Sequence, residues 1–216
     1  MIRDVFPGQV LTLQADPPMW EGALYPEEEV FIIRAVTKRR REFTAGRLCA
    51  RRALSLLGIE NYPLLAGQDR LPVWPPGIVG SVSHCNDYCG VAVARRDEIA
   101  GVGFDVERAG SLKSPVIRMI CTETESAWAE KTAPRTGVDW HKVIFSAKES
   151  TYKCYYPLTR RMLNFHDVEV SIDPEKRTFS ARLLRGADAL GGLDLLHGRF
   201  ALNEHYVFTG VTLNSA

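Results

Sequence analysis

Ile78-Val79-Gly80-Ser81-Val82-Ser83, Gly90-Val91-Ala92-Val93-Ala94 and Ile99-Ala100-Gly101-Val102-Gly103-Phe104-Asp105-Val106-Glu107 are three apolar runs of strand length, separated by gaps too short to hold a helix. Short gaps between strands predict antiparallel hairpins. The third run ends on two acids set two residues apart. Strand side chains alternate between faces, so Asp105 and Glu107 should project the same way.

Upstream, Pro26 followed by Glu27-Glu28-Glu29 is a helix start, because proline is tolerated in the first turn and acids there complement the helix dipole. The helical pattern then runs, with a break, to Leu57. Phe43, Cys49-Ala50, Ala53-Leu54 and Leu57 trace its apolar stripe and Gly58 is its stop. Residues 1–25 carry turn signals and predict an irregular or partly extended lead-in without chemistry. Residues 61–77, rich in proline and glycine, predict a long loop of the kind that often carries binding.

Downstream, Thr122-Glu123-Thr124-Glu125 is a capping-box pattern that opens a short helix, with Pro134 and Gly137 ending it. Asp139 caps a further helix that Pro157 closes, and Val168 to Ile172, Thr178 to Leu184 and Phe200 to Leu213 read as strands. Helix followed by three strands thus occurs twice. This predicts an α+β fold of two pseudo-symmetric lobes, residues 1–108 and 109–216, each an antiparallel sheet of about three strands packed with helices.

The helix after Asp139 contains Phe145-Ser146-Ala147-Lys148-Glu149-Ser150-Thr151-Tyr152-Lys153. Glu149 can add a third carboxylate to Asp105 and Glu107 from a second element. That hard oxygen set, with positions left for phosphate and water, is what Mg²⁺ prefers. His84, with Ser81 and Ser83 at a strand-to-loop junction, offers hydrogen bonds suited to phosphate.

The 216 residues, 45% hydrophobic and 25% charged, suit a soluble globular protein. There is neither a signal-peptide pattern nor a run of the roughly 20 apolar residues that span a bilayer, so a cytoplasmic location is expected. Five scattered cysteines fit reduced thiols, and His84-Cys85 with Cys89 lacks the second pair a structural zinc would need. A net charge of +1 disfavours a nucleic-acid binder. Locally, Lys38-Arg39-Arg40-Arg41, Arg47 and Arg51-Arg52 place seven cations in fifteen positions, as for a small polyanion or an acidic partner. Phosphate-loop, dinucleotide-type and nucleophile-elbow glycine patterns are absent.

Gly103 to Glu107 followed by Phe145 to Lys153 resembles the paired signature of the 4′-phosphopantetheinyl transferases, in their monomeric surfactin- and enterobactin-synthetase class. Arg41-Glu42-Phe43, Gly46 to Arg51, Trp74-Pro75 and Gly80 to Cys85 resemble the enterobactin-type branch in particular, so the likeness runs from about Lys38 to Lys153. The resemblance implies two lobes with coenzyme A in the cleft between them. The phosphopantetheine arm passes to a serine of an acyl or peptidyl carrier protein, releasing adenosine 3′,5′-bisphosphate.

By the same resemblance, Asp105, Glu107 and Glu149 hold Mg²⁺ (or Mn²⁺), Lys148 and Lys153 contact the pyrophosphate with Ser83, and Glu149 or a water at the metal takes the serine proton. Arg39, Arg47 and His84 hold the 3′-phosphate. The loop Gly67 to Pro72 borders the adenine, through backbone or Arg70, since Leu71 stands where many relatives carry lysine. Phe104 stands where isoleucine is usual. Carrier proteins are typically acidic, so cations near the cleft, together with apolar residues between Leu112 and Ile120, are the expected docking surface. Two other readings use the same residues: a different magnesium-dependent phosphotransferase acting on a nucleotide pyrophosphate, and a coenzyme A-binding protein whose acids are structural.

Overall fold

The computed structural model describes residues 1–215. In the first lobe the long helix α2 (Thr37–Leu56) follows a single turn, α1 (Pro26–Glu29), and packs on a three-stranded antiparallel sheet. That sheet has the order β1 (Leu11–Gln14), β3 (Tyr88–Arg95), β2 (Ile78–Cys85). Ala45, Cys49, Ala53 and Leu54 of α2 bury against Ile78, Val91 and Val93, as their apolar stripe requires. The break foreseen after Pro26 lies between α1 and α2, and Gly58 ends the helical region with φ +82.

The second lobe is a five-stranded antiparallel sheet in the order β4 (Ile99–Arg108), β8 (Tyr206–Asn214), β7 (Leu195–Leu202), β6 (Thr178–Leu183), β5 (Val168–Asp173). The helices α3 (Ser114–Ile120), α4 (Glu123–Thr136) and α5 (Trp140–Thr159) accompany it. Trp140, Val143, Ile144, Ala147, Cys154 and Tyr155 of α5 form its core with Val170, Phe179, Ala181 and Leu196. The capping box opens α4 as expected, with Thr122 Oγ1 accepting from Glu125 N and Glu125 Oε2 accepting from Thr122 N.

The α+β, two-sheet architecture agrees with the sequence pattern, and several details correct it. The lead-in is structured: Ile2, Val5 and Phe6 are buried, and Leu11 to Gln14 pair with β3. That pairing decides the next strand. With β1 on one side of β3 and β2 on the other, no edge of β3 is left for β4, which pairs with β8 instead of making the expected hairpin. The run Phe200 to Leu213 is two strands, because Asn203 Oδ1 accepts from the amides of His205 and Tyr206 and turns the chain back. The second sheet therefore has five strands. Pro157 does not close α5, which continues to Thr159 and ends on Arg160 in the left-handed region.

The sheets meet where β2 lies beside β4, and side-chain hydroxyls replace backbone pairing there. Phe104 N donates to Ser81 Oγ at 3.0 Å and Val106 N to Ser83 Oγ at 3.3 Å. Helix α5 lies against the other neighbourhood of β4, and Gly103 admits it. A Cβ on Gly103 would stand 1.8 Å from the carbonyl oxygen of Ser150. The Gly101-x-Gly103 pair is thus a packing surface.

Candidate active site

The seam between the sheets is also where the charged residues gather. Asp105, on β4 opposite Thr209 of β8, is 3% exposed. Its Oδ1 accepts from Lys153 Nζ at 2.6 Å and Ser83 Oγ at 3.0 Å, and its Oδ2 accepts from Ser146 Oγ at 2.7 Å. Ser83 Oγ also accepts from Lys153 Nζ at 3.0 Å. One serine thereby ties a carboxylate, a lysine and the strand–strand seam together.

Glu107 lies two residues further along β4, and its Oε2 is 3.5 Å from Lys142 Nζ. Its carboxyl is raised above the usual carboxylate range, first by burial and then by Asp105, with Lys142 and Lys153 opposing. Glu149 is raised too, by burial and by Asp105 against Lys153. It lines a groove of about 560 Å³ with Met119, Tyr152, Met162 and Phe165.

Two carboxyls, Glu107 and Glu149, that burial and the neighbouring Asp105 hold against ionisation, set beside Asp105 itself, make a site that favours a cation. Their hard oxygens, from β4 and α5, fit a divalent ion that keeps positions for phosphate and water. In the present rotamers Asp105 turns to Lys153 and Glu107 to Lys142, so among the described residues no three His, Cys, Asp or Glu groups form a ready-made ligand shell. The lysines supply the positive charge instead.

A second cluster adjoins the first at the same end of β2, where His84 follows Ser83. Arg39, Arg47, Arg70 and His84 line one pocket of about 430 Å³ together with Glu42 and Phe31. Arg39 Nη1 is 3.4 Å from His84 Nε2, and His84 Nδ1 is 3.7 Å from Glu42 Oε2. Burial lowers the pKa of His84, with Glu42 opposing and Arg39 and Lys153 assisting. Arg47 is 6% exposed, stacks over Phe43 at 4.0 Å, and keeps a buried Nε without a partner. Burial pushes its pKa down to about 10. A buried guanidinium with an unused donor has the chemistry to hold an anion.

The loop from Gly67 to Pro72 stands between this pocket and a larger cavity of about 920 Å³ that reaches Lys153. Gly67 N donates to Leu71 O, Ala66 pairs with Pro72, and Arg70 sits at φ 65, a left-handed conformation unusual for a side-chain-bearing residue. Asp69 of this loop pairs with Arg160 at the end of α5 and so links the two lobes.

Lys148, expected at the pyrophosphate, borders the same groove as Glu149, but its ammonium is turned into the protein. It is 2% exposed, and its Nζ donates at 2.8 Å to Glu125 Oε2, Ile120 O and Phe165 O, which uses all three protons. Lys148 is three places from Phe145 and five from Lys153 on α5, and so faces away from β4. Sequence reasoning missed Lys142 and Ser146, although a signal existed. Positions 142, 146, 149 and 153 recur at 4, 3 and 4 residues, one face of a helix, and that face meets Asp105 and Glu107.

Residues 27–94 match the family model of the 4′-phosphopantetheinyl transferase N-terminal domain, and residues 101–204 match that of the 4′-phosphopantetheinyl transferase superfamily. The chain belongs to this superfamily. It is 41% identical over 221 residues to 4′-phosphopantetheinyl transferase Svp of Streptomyces mobaraensis, covering 99% of this chain and 89% of the relative. It is 38% identical over 207 residues to 4′-phosphopantetheinyl transferase PptT of Mycobacterium tuberculosis, covering 93% and 90%. Enterobactin synthase component D of Salmonella typhimurium is 31% identical over 127 residues, covering 55% of this chain and 49% of the relative. Likeness within the phosphopantetheinyl transferases therefore extends well beyond Lys153, through the C-terminal strands. Among the described residues no helix is long and apolar enough to cross a membrane.

Proposed function

We propose that this phosphopantetheinyl transferase moves the 4′-phosphopantetheine group of coenzyme A to a serine of an apo acyl or peptidyl carrier protein in a Mg²⁺-dependent reaction, releasing adenosine 3′,5′-bisphosphate. The observation that carries the reading is the buried, unsatisfied Arg47 beside Arg39, Arg70 and His84, in a pocket that adjoins the carboxylates and Lys153 through the neighbouring Ser83 and His84. Two adjoining cationic clusters suit a ligand that carries both a phosphate and a diphosphate. The sequence boundary at residue 108 gives way to one before β4, whose pairing with β8 puts it in the second sheet; the first lobe would hold the nucleotide and the second would receive the carrier, acting as one unit.

Arg39, Arg47 and His84 bind the 3′-phosphate, and Arg70 projects from its loop beside the adenine. Lys153 and Ser83 orient the pyrophosphate, and Lys153 then balances the charge on the leaving bisphosphate. Asp105, Glu107 and Glu149 would hold Mg²⁺, which when bound neutralises the diphosphate and polarises the phosphorus under attack. Glu149, its carboxyl raised by burial, accepts the serine proton. The exposed Met119 of α3, on the rim of the groove that Glu149 lines, supports carrier docking along residues 112–120. Lys148 is given no contact with substrate here.

The test mixes the protein with coenzyme A, Mg²⁺ and a panel of apo-carriers and reads intact mass. One added phosphopantetheine on one serine is expected, lost when metal is omitted. If no carrier gains mass while another nucleotide pyrophosphate is turned over, the reading fails. Glu107→Ala should lower turnover on the order of 10²–10³-fold. Arg47→Ala should raise KM for coenzyme A about 10- to 100-fold, the equivalent of about 1.5–3 kcal/mol for a hydrogen bond to a charged group, with a smaller change in kcat.

A further inference from the structure

The cation that faces Glu107 is not part of either signature that marks the family. Lys142 enters from the first turn of α5, where Asp139 Oδ1 accepts from the amides of His141 and Lys142 and fixes the helix start. Its side chain is 13% exposed and that of Glu107 27%, so the pair is largely out of water. Lys153 holds Asp105 in the same way about three turns further along the helix. The two acids of β4 are thus each met by a lysine of the same helix face.

We propose that Lys142 is a resident counter-ion for Glu107 that a divalent cation must displace, and that it thereby sets the metal affinity of the site. The inference rests on the reading of Asp105, Glu107 and Glu149 as metal ligands. Two consequences follow from simple electrostatics. In the metal-free protein Lys142 offsets the repulsion between Asp105 and Glu107. Once Glu107 turns to a metal, Lys142 loses its partner and its charge is free to meet an incoming anion. Lys142 is accordingly a positioning residue, and metal and anionic substrate reinforce each other's binding through it.

The experiment measures Mn²⁺ binding to the full chain by isothermal titration calorimetry and by the loss of the free-ion electron paramagnetic resonance signal. It is done without coenzyme A or carrier, at pH 8. Lys142→Met should bind Mn²⁺ roughly tenfold more tightly than the unaltered protein, the scale of removing one like charge from a partly buried site. Lys142→Gln should do the same if the methionine variant does not fold, and Lys142→Arg should keep the original affinity. Adding coenzyme A should tighten Mn²⁺ binding in the unaltered protein by a larger factor than in Lys142→Met. Equal or weaker Mn²⁺ binding by both neutral variants overturns the role of Lys142 and leaves the carboxylate site standing. No Mn²⁺ binding by the unaltered protein overturns the carboxylate site and this inference with it.

Discussion

Lys148→Ala is expected to destabilise the protein by about 3–5 kcal/mol, the cost of stripping one partner from a buried ion pair. Glu125 is 3% exposed, and its Oε2 accepts from Lys148 while its Oε1 accepts from Val170 N. Removing the lysine leaves that carboxylate charged and without its cation. It also frees two buried carbonyls, of Ile120 and Phe165, from their donor. Each then stays unsatisfied unless water enters from the groove that Lys148 and Phe165 border. Urea denaturation should show the midpoint falling with an unchanged slope. Lys148→Met combined with Glu125→Gln should recover part of the loss, because no uncompensated charge then stays inside. A Lys148→Ala protein as stable as the original would mean that the lysine is not held as described. Lys153→Ala, whose side chain is 27% exposed, should cost much less stability and far more turnover.

Gly103→Ala is the second change with a large expected effect, and its cause is steric. The added methyl would meet Ser150 O at 1.8 Å and Cys154 N at 2.7 Å, both backbone atoms of α5. Side chains can swing away from a clash, but a helix can only move as a whole. Overpacking of cores typically costs about 1–3 kcal/mol and more where backbone must shift, so we expect the upper end of that range or failure to fold. Any folded fraction would hold α5 further from β4 and separate Lys153 from Asp105. The measurements are soluble yield, thermal melting and carrier modification. Gly8→Ala is the control, because a Cβ there meets nothing within 4 Å. Wild-type melting for Gly103→Ala would refute the close approach.

Much of the fold was legible because local chemistry and tertiary structure agree. Thr122 and Glu125 form the capping box their spacing announces, and the stripe Phe43, Cys49, Ala50, Ala53 and Leu54 is buried as its periodicity requires. What was not legible depends on competition between distant segments. No local pattern in Ile99 to Val106 says that both sides of β3 are already taken, one of them by Leu11 to Gln14. The turn at Asn203 lacks glycine and proline, so β7 and β8 read as one run. In the site, Arg39, Arg47, Arg70 and His84 were chosen one by one and lie around one pocket. The inward turn of Lys148 was not legible, because a lysine beside a glutamate on a helix reads the same whether it faces a cleft or a core. Only the position of Glu125, 23 residues upstream, distinguishes the two.

The hydroxyl of Ser83 links two roles that most proteins keep apart. As a graft between β2 and β4 it holds Val106 N, and as a contact for Lys153 and Asp105 it sits inside the charged cluster. Lobes joined through this oxygen cannot spread without wetting an acid and an amine that are otherwise shielded. The energetic toll of opening the cleft is therefore levied on the reacting groups themselves, and a substrate that restores their shielding draws the lobes shut.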